Sequence, residues 1–299
     1  MVTQRIGEVD LTYLGESMIE LAENRYGKSR IRLMKVSRTP KGNELREWTV
    51  QVLLIGDFDS AHYEGDNSKI LPTDTMKNTV YSVARKSSAI AMEDYAKELV
   101  DFLLARNPKV TSVSVAIEGT MWKRLSIDGK PHPTSFMRGS GELQTTTVSR
   151  GRTDGFIIHS GFTNLVVMKT ADSGFEGYIQ DELTTLKPTS DRLFCTAVTA
   201  QWSYTVQALA FDAMRAAMRE AMLKTFANHK SKSVQETLYE MGKSALERVA
   251  EVDEINITMP NKHCLLVDLS RFGQDNPNEI FVPTDEPAGH IEARVRRKL

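Results

Sequence analysis

The sequence predicts an α+β fold in which the order strand, strand, helix, helix, strand, strand occurs twice. Long stretches alternate apolar and polar side chains, which is the period of a half-buried strand. Between them, apolar side chains recur every three or four residues, which is the period of an amphipathic helix. In the first half of the chain, strands are predicted over residues 28–37, 45–58, 109–127 and 134–150, and helices within 71–81 and 89–108.

The second half repeats this order, although no repeat of residues is visible. The sequence from Ser233 to Glu236 is typical of a capping box, in which the hydroxyl and the carboxylate each accept the other residue's backbone N–H. Strands are predicted over 156–170, 192–205, 254–270 and 280–296, and helices over 210–229 and from Ser233 onward. The first helix carries an apolar stripe that we interpret as core, made of Phe211, Met214, Met218, Met222 and Phe226.

This order predicts two tandem domains, residues 1–150 and 151–299, with antiparallel sheets and paired helices on one face. Residues 1–20 form an N-terminal extension of the first domain. Long strands leave open sheet edges, which natural proteins seldom leave unpaired. We therefore expect subunits to close the sheets into a barrel, with ligand sites where the subunits meet.

The composition excludes several classes of function. The 38 basic and 39 acidic residues nearly cancel, so no overall charge would hold a nucleic acid or a membrane surface. The two cysteines, Cys195 and Cys264, are too few for a disulfide framework or a cysteine-rich zinc site.

The termini predict a cytoplasmic protein. The first 20 residues carry acidic side chains and no long apolar run, unlike a signal peptide or a membrane anchor. The last three residues, Arg297, Lys298 and Leu299, share two positions with a peroxisomal signal, which would apply in a eukaryotic cell, but lack its small first residue.

The common catalytic motifs are missing. There is no phosphate-binding Walker loop, dinucleotide-binding GxGxxG after a strand, HExxH or GxSxG. The six histidines are never within one helical turn of each other, so we expect no transition-metal site.

Polar residues at the ends of the predicted elements are the remaining candidates. Thr73 and Asp74 precede a helix and are first interpreted as N-caps. Lys28 opens the first strand, where a lysine ordinarily protects a sheet edge. Asn261 and His263 follow Pro260 inside a strand-like segment, which predicts a β-bulge at the proline.

Three further candidates lie in the second half. Gln235 is in a first helical turn, where free N–H groups and the helix dipole favour an anion, or it is simply solvated. Arg192 starts a strand and could pair with an anionic heterocycle, or with Asp191 and Asp181. Phe175 lies between two glycines, as a stacking platform or a loop plug.

Several of these segments together resemble one family. RYGKSRIRLMKV, LPTDTMKNTVY, IDGKPHPTSF, MKTADSGFEGYIQDELTTLK, SDRL, SVQETLYEMG and MPNKHCLLVDL occur in this order along most of the chain. They are similar to the urate oxidases, or uricases. Pro72 stands where many members carry alanine, and Gln180 stands where they tend to carry arginine.

The resemblance implies two tandem tunnelling-fold domains per chain and a homotetramer around a central tunnel, with active sites at subunit interfaces. It also implies oxidation of urate by O₂ and water to 5-hydroxyisourate and hydrogen peroxide, with no metal or organic cofactor.

By position, the resemblance assigns substrate binding to one subunit. Arg192 and Gln235 would clamp urate, Val234 would offer its backbone N–H, Phe175 would stack on the ring, and Asn261 would lie above the ring plane.

The neighbouring subunit would supply Thr73 and Asp74, with Lys28 behind them. Lys28 and Thr73 would then move a proton, and His263 would extend that relay.

Two alternatives stay open at this point. One is another purine or pterin enzyme of the same fold, such as a dihydroneopterin aldolase or a GTP cyclohydrolase. The other is a purine-binding protein without catalysis.

Overall fold

The computed structural model describes residues 19–298, apart from the side chain of Asp285. The predicted order of elements is confirmed, with one addition and two interruptions. The first half contains β1 (Tyr26–Thr39), β2 (Gly42–Gly56), α1 (Asp59–Tyr63), α2 (Thr73–Lys86), α3 (Met92–Arg106), β3 (Val110–Ile127) and β4 (Lys130–Gly151). The second contains β5 (Ile157–Lys169), β6 (Phe194–Tyr204), α4 (Phe211–Asn228), α5 (Val234–Arg248), β7 (Val252–Thr258), β8 (Asn261–Leu266), β9 (Phe281–Gly289) and β10 (Glu292–Arg296).

The differences from the prediction are local. Helix α1 is an additional single turn, and each of the last two predicted strands is divided in two. The predicted N-terminal extension falls largely on residues 1–18, which lie outside the described residues.

All ten strands form a single antiparallel sheet. The hydrogen-bonded order is β1-β2-β3-β4-β5-β6-β7-β10, with β8 beside β6 and β9 beside β8. Strands β4 and β5 pair from Leu143 and Thr163 to Ser149 and Ile157, and this ladder joins the two halves of the chain. The sheet therefore passes from one half to the other without an edge between them, and β1, β9 and β10 are its edge strands.

Each half has its own hydrophobic core between the sheet and two helices. In β2, the predicted inward residues Trp48, Val50, Val52 and Leu54 are all buried. They pack with residues of α2 and α3. The predicted stripe on α4 is confirmed as core. Met218, Met222 and Phe226 are buried in the second core with Met214 partly buried beside them, and Phe211 is buried in the first core.

Helix α4 is also tied to the first half by charged groups. Arg215 on α4 and Glu93 on α3 form an ion pair in which both side chains are buried, and the Ser160 hydroxyl of β5 donates to the same carboxylate. Burial raises the pKa of Glu93, while the charge of Arg215 opposes that change. A second pair links Arg219 to Glu142 of β4 through two hydrogen bonds of 2.8 Å.

Glu93→Gln should destabilise the protein by about 3–5 kcal/mol, because it leaves the buried Arg215 without a counter-charge. The double variant Glu93→Leu/Arg215→Met should lose less than the single variant, since it leaves no unpaired charge. Urea unfolding at a fixed protein concentration measures both. Glu98→Gln, an exposed position on the same helix, is the matched control. Equal, small effects of Glu93→Gln and Glu98→Gln on the free energy of unfolding would contradict the role of Glu93 as the counter-charge of Arg215.

Candidate active site

The start of β1 holds Lys28 beside a β-bulge. Lys28 pairs with Val52 of β2, but Ile31 pairs with Val50, so β1 carries one residue more than its partner. The backbone of Arg30, inside this bulge, has a φ of 56°, which lies in the left-handed region. A bulge bends its strand and re-aims neighbouring side chains. The half-buried side chain of Lys28 is positioned by this device, which the sequence analysis did not identify.

Gly27 is the residue that allows the bulge to sit so close to β2. A Cβ at this position would lie 1.8 Å from the carbonyl oxygen of Val52. No other residue type fits that approach without moving the strand. The glycine before Lys28 was therefore the available signal for the bulge.

Thr73 is the first residue of α2, and it does not cap the helix. Pro72 is the N-cap, with φ of −55° and ψ of 137°, and no side chain accepts a capping hydrogen bond. The first interpretation of Thr73 and Asp74 as N-caps is therefore wrong. Proline fits there because its φ is fixed near the observed value. The Thr73 hydroxyl is left for another role.

Asp74, in the first turn of α2, lies within range of the charge of Lys28. Its carboxylate accepts hydrogen bonds from Lys77 and from the Asn78 amide, the latter at 3.1 Å. The hydrogen bond from Lys77 lowers the pKa of Asp74, and the nearby charge of Lys28 acts in the same direction. We call Lys28, Thr73 and Asp74 the β1 group.

Tyr26 holds the β1 group together. Its hydroxyl accepts the Leu71 N–H at 2.8 Å and donates to the Leu71 carbonyl at 3.3 Å. The beginning of β1 is thereby tied to the segment that leads into α2.

Phe175 and Arg192 lie side by side in the loop between β5 and β6. The Phe175 N–H donates to the Thr189 carbonyl at 2.8 Å, and the Arg192 N–H donates to the Ser173 carbonyl at 2.7 Å. These bonds place the Arg192 guanidinium carbon 5.2 Å from the centre of the Phe175 ring.

The guanidinium of Arg192 is half-buried and incompletely bonded. Its Nε is buried without a hydrogen-bond partner, and burial lowers its pKa, although an arginine stays charged at neutral pH. No ion pair of Arg192 is found among residues 19–298. Asp191 accepts the Ser173 N–H instead, and Asp181 accepts the Leu183 N–H. The alternative pairing with these aspartates is therefore not realised.

The first turn of α5 has backbone N–H groups that are not used within the helix, and the segment before it is bonded to the Phe175 loop. Ser231 accepts the Gly174 N–H at 2.8 Å, which joins the Phe175 loop to the segment before the helix. Val234 is buried and Gln235 is exposed in the first turn. In the described part of the chain, their N–H groups have no acceptor, as expected for the first residues of a helix.

The predicted capping box at α5 is half confirmed. The Ser233 hydroxyl accepts the Glu236 N–H at 3.1 Å, as predicted. The Glu236 carboxylate accepts the N–H of Lys232, at 2.8 Å, rather than that of Ser233. The helix start is therefore fixed by hydrogen bonds on both sides.

Asn261 lies beside β6, at the start of β8. It pairs with Thr196, and this pairing continues the register in which Thr258 of β7 pairs with Thr199. Pro260 thus interrupts the strand without adding a residue opposite β6, and the predicted bulge at the proline is wrong. The irregularity comes later and against β9, between the pairs Asn261–Gly289 and His263–Thr284. His263 itself is exposed.

We call Phe175, Arg192, Val234, Gln235 and Asn261 the α5 group. It is far from the β1 group within a chain. Strands β1 and β6 are five strand spacings apart, about 24 Å along the sheet. Among residues 19–298, a described contact joins Phe175 to Arg192 within the α5 group, no described contact joins the two groups, and none links His263 to Lys28 or Thr73.

Metal-binding clusters and membrane-spanning helices are both absent from residues 19–298. Within residues 19–298, no group of three or more His, Cys, Asp or Glu side chains could hold a metal ion. Over the same range, no helix is long and apolar enough to cross a membrane.

Comparison with known proteins identifies the family. The sequence model of the family described as Uricase matches residues 24–149 and 158–292. This chain belongs to the uricase family. The uricase of Arthrobacter globiformis is 39% identical over 280 residues, covering 94% of this chain and 91% of that protein. The uricase of Dictyostelium discoideum is 37% identical, covering 94% and 98%.

Solved structures of uricases show the same fold. The crystal structure of the Arthrobacter globiformis uricase has a TM-score of 0.88 at 39% identity, with 94% of this chain and 96% of that chain covered. A uricase from Bacillus fastidious has a TM-score of 0.79 at 22% identity, covering 91% and 93%. The predicted tunnelling fold is thereby confirmed, and its two halves share one sheet in each chain.

Gly27→Ala should destabilise this uricase-family chain by about 1–3 kcal/mol, because the added Cβ forces β1 away from β2 at the bulge. The measurement is the free energy of unfolding in urea. Ser29→Ala, at an exposed position of the same bulge, is the control and should change little. A Gly27→Ala variant as stable as the control would mean that β1 tolerates the shift.

Proposed function

We propose that the chain oxidises urate with O₂ and water to 5-hydroxyisourate and hydrogen peroxide, without a metal or an organic cofactor. One observation carries this proposal. The α5 group combines a half-buried guanidinium with an unpartnered Nε, a neighbouring aromatic ring, and free N–H groups at a helix start. Urate at neutral pH is a flat anion with hydrogen-bonding groups around its rim, and these features are complementary to it.

In this proposal, the α5 group binds the substrate. Arg192 and Gln235 hold two edges of the purine, since a guanidinium and an amide both form paired in-plane hydrogen bonds. The N–H of Val234 donates to a further acceptor, and Phe175 stacks on the ring. Asn261 lies above the ring plane, where O₂ and then water reach the substrate.

The β1 group handles protons. Removal of a second proton from urate gives a dianion rich enough in electrons to reduce O₂ directly. Two electrons and two protons pass to O₂ as hydrogen peroxide, and water adds to the oxidised ring to give 5-hydroxyisourate. The Thr73 hydroxyl relays the proton to Lys28, Asp74 orients this group, and His263 extends the relay.

The two groups act together across a subunit boundary in a homotetramer. Two observations support this part of the proposal. The groups are about 24 Å apart along the sheet of one chain, which is too far for one small substrate to touch both. Strands β1 and β10 are open edges, and pairing them with edges of a second copy would close the sheets into a barrel.

The activity should be visible as loss of urate ultraviolet absorbance, matched one to one by hydrogen peroxide. The rate should be unchanged by a chelator, because no metal takes part. Arg192→Gln should raise KM for urate by at least about tenfold, since a charge-assisted contact is lost. Urate that binds but is not consumed would contradict the proposal and favour a purine-binding protein without catalysis.

Mixing two inactive variants should restore activity if sites span subunits. Lys28→Ala and Arg192→Ala each damage every site of their own assembly. Each two-fold interface would carry two sites, and in a pair of unlike variants one of these two sites has both groups intact. Since about half of the pairs in a random one-to-one mixture are unlike, about a quarter of all sites should be intact. Co-expression with two affinity tags and a urate assay measure the recovery.

The matched control mixes Lys28→Ala with Thr73→Ala. Both residues belong to the β1 group of one subunit, so every site keeps a defect and no activity returns. Recovery in this control, or none in the first mixture, would contradict sites formed between subunits.

A further inference from the structure

Phe175 is stacked on a second aromatic residue, Tyr178, to which no role has been given above. The two ring centres are 4.9 Å apart and the ring planes differ by 11°. Both residues are half-buried. A nearly parallel stack at this distance is a favourable aromatic contact.

The backbone between the two residues is shaped to form this stack. Gly177 has φ of 71°, which a glycine adopts readily and which is typical of the third residue of a tight turn. The chain bends at Gly177, two residues after Phe175 and one residue before Tyr178. The chain therefore folds back and returns the tyrosine ring to the phenylalanine ring.

The other end of the Tyr178 side chain is held as well. Its hydroxyl donates to the Leu186 carbonyl at 2.6 Å. The loop between these residues is otherwise open to solvent, with Ile179 93% and Leu183 83% exposed. Tyr178 is thus fixed at its backbone by the Gly177 turn and at its hydroxyl by Leu186.

Tyr178 covers one face of the Phe175 ring, so a purine can stack only on the other face. The Arg192 guanidinium carbon lies 5.2 Å from the centre of the same ring, and among residues 19–298 no such contact with the Tyr178 ring is found. Tyr178 therefore contacts Phe175 and not the arginine.

We propose that Tyr178 is a positioning residue, which fixes the plane of the Phe175 ring so that its opposite face receives the purine. The inference rests on the proposed function. Without Tyr178, the Phe175 ring can turn about its side-chain bonds, and part of its stacking on the substrate is lost. The effect is on binding, since the stack is the same before and during the reaction.

Tyr178→Leu should raise both KM for urate and Kd for xanthine, a purine that lacks the 8-oxo group, by about 3- to 10-fold. Its kcat should change by less than about twofold. Tyr178→Phe keeps the stack and should stay within about twofold of the starting protein. Ile179→Ala, next in the loop and exposed, is the control and should change neither constant.

A double-mutant cycle decides whether Tyr178 acts through Phe175. If it does, adding Tyr178→Leu to Phe175→Leu leaves Kd for xanthine unchanged, because no ring remains to be oriented. Thermal unfolding of the four proteins is followed in parallel. Equal fold-changes in both backgrounds would overturn the inference, as would a Tyr178→Leu variant that binds like the starting protein.

The same measurements separate the inference from the proposed function. If the unaltered protein neither binds xanthine nor consumes urate, both are overturned. If it consumes urate and the Tyr178→Leu effect is independent of Phe175, the inference alone is overturned.

Discussion

The pairing of β4 with β5 is the interaction on which the rest of the structure depends. Seven residue pairs, from Leu143–Thr163 to Ser149–Ile157, join two halves that each have their own core. Because of this ladder, the chain has one sheet with its free edges far apart. The buried Glu93–Arg215 pair fixes the helices of the two halves to each other on one face. Each half therefore keeps a set position relative to the other, and the β1 and α5 groups are held apart.

The two halves use the same backbone device in their first strands. In β1, Gly27 lies three residues before Arg30, whose φ is 56°. In β5, Gly161 lies three residues before Asn164, whose φ is 55°. At both glycines a Cβ would meet a carbonyl oxygen of the next strand, at 1.8 Å and 2.2 Å. The sequence analysis found no repeat of residues, but the structure shows this one.

The side chains at the two bulges differ. Directly after the glycine, the first half has the half-buried Lys28 and the second half has Phe162, which is fully buried in the core. One copy of the bulge thus presents a polar group, while the other anchors the sheet. Both halves share the bulge geometry, and the residue after the glycine decides whether the bulge carries a polar group or a core side chain.

The order of elements could be predicted from the sequence, because alternation and helical spacing are local patterns. The site residues were suggested by resemblance, and the distances between their elements place the β1 group and the α5 group apart along the sheet. The bulge after Lys28 and the stack of Tyr178 on Phe175 depend on glycines whose φ and close contacts are fixed by the fold. The β-bulge assigned to Pro260 was wrong because a proline can also interrupt a strand in register, as it does opposite β6. The pairing of β4 with β5 is not encoded in the local pattern of either strand.

The separation of the β1 and α5 groups has a consequence for timing in the cell. Under the proposed function, a newly made chain folds and buries both cores before any catalytic centre is complete. Chemistry that releases hydrogen peroxide would then begin only after chains have met, and its onset would follow the square or a higher power of their concentration. Assembly, rather than folding, would be the step that switches oxidation on, and dilution would switch it off.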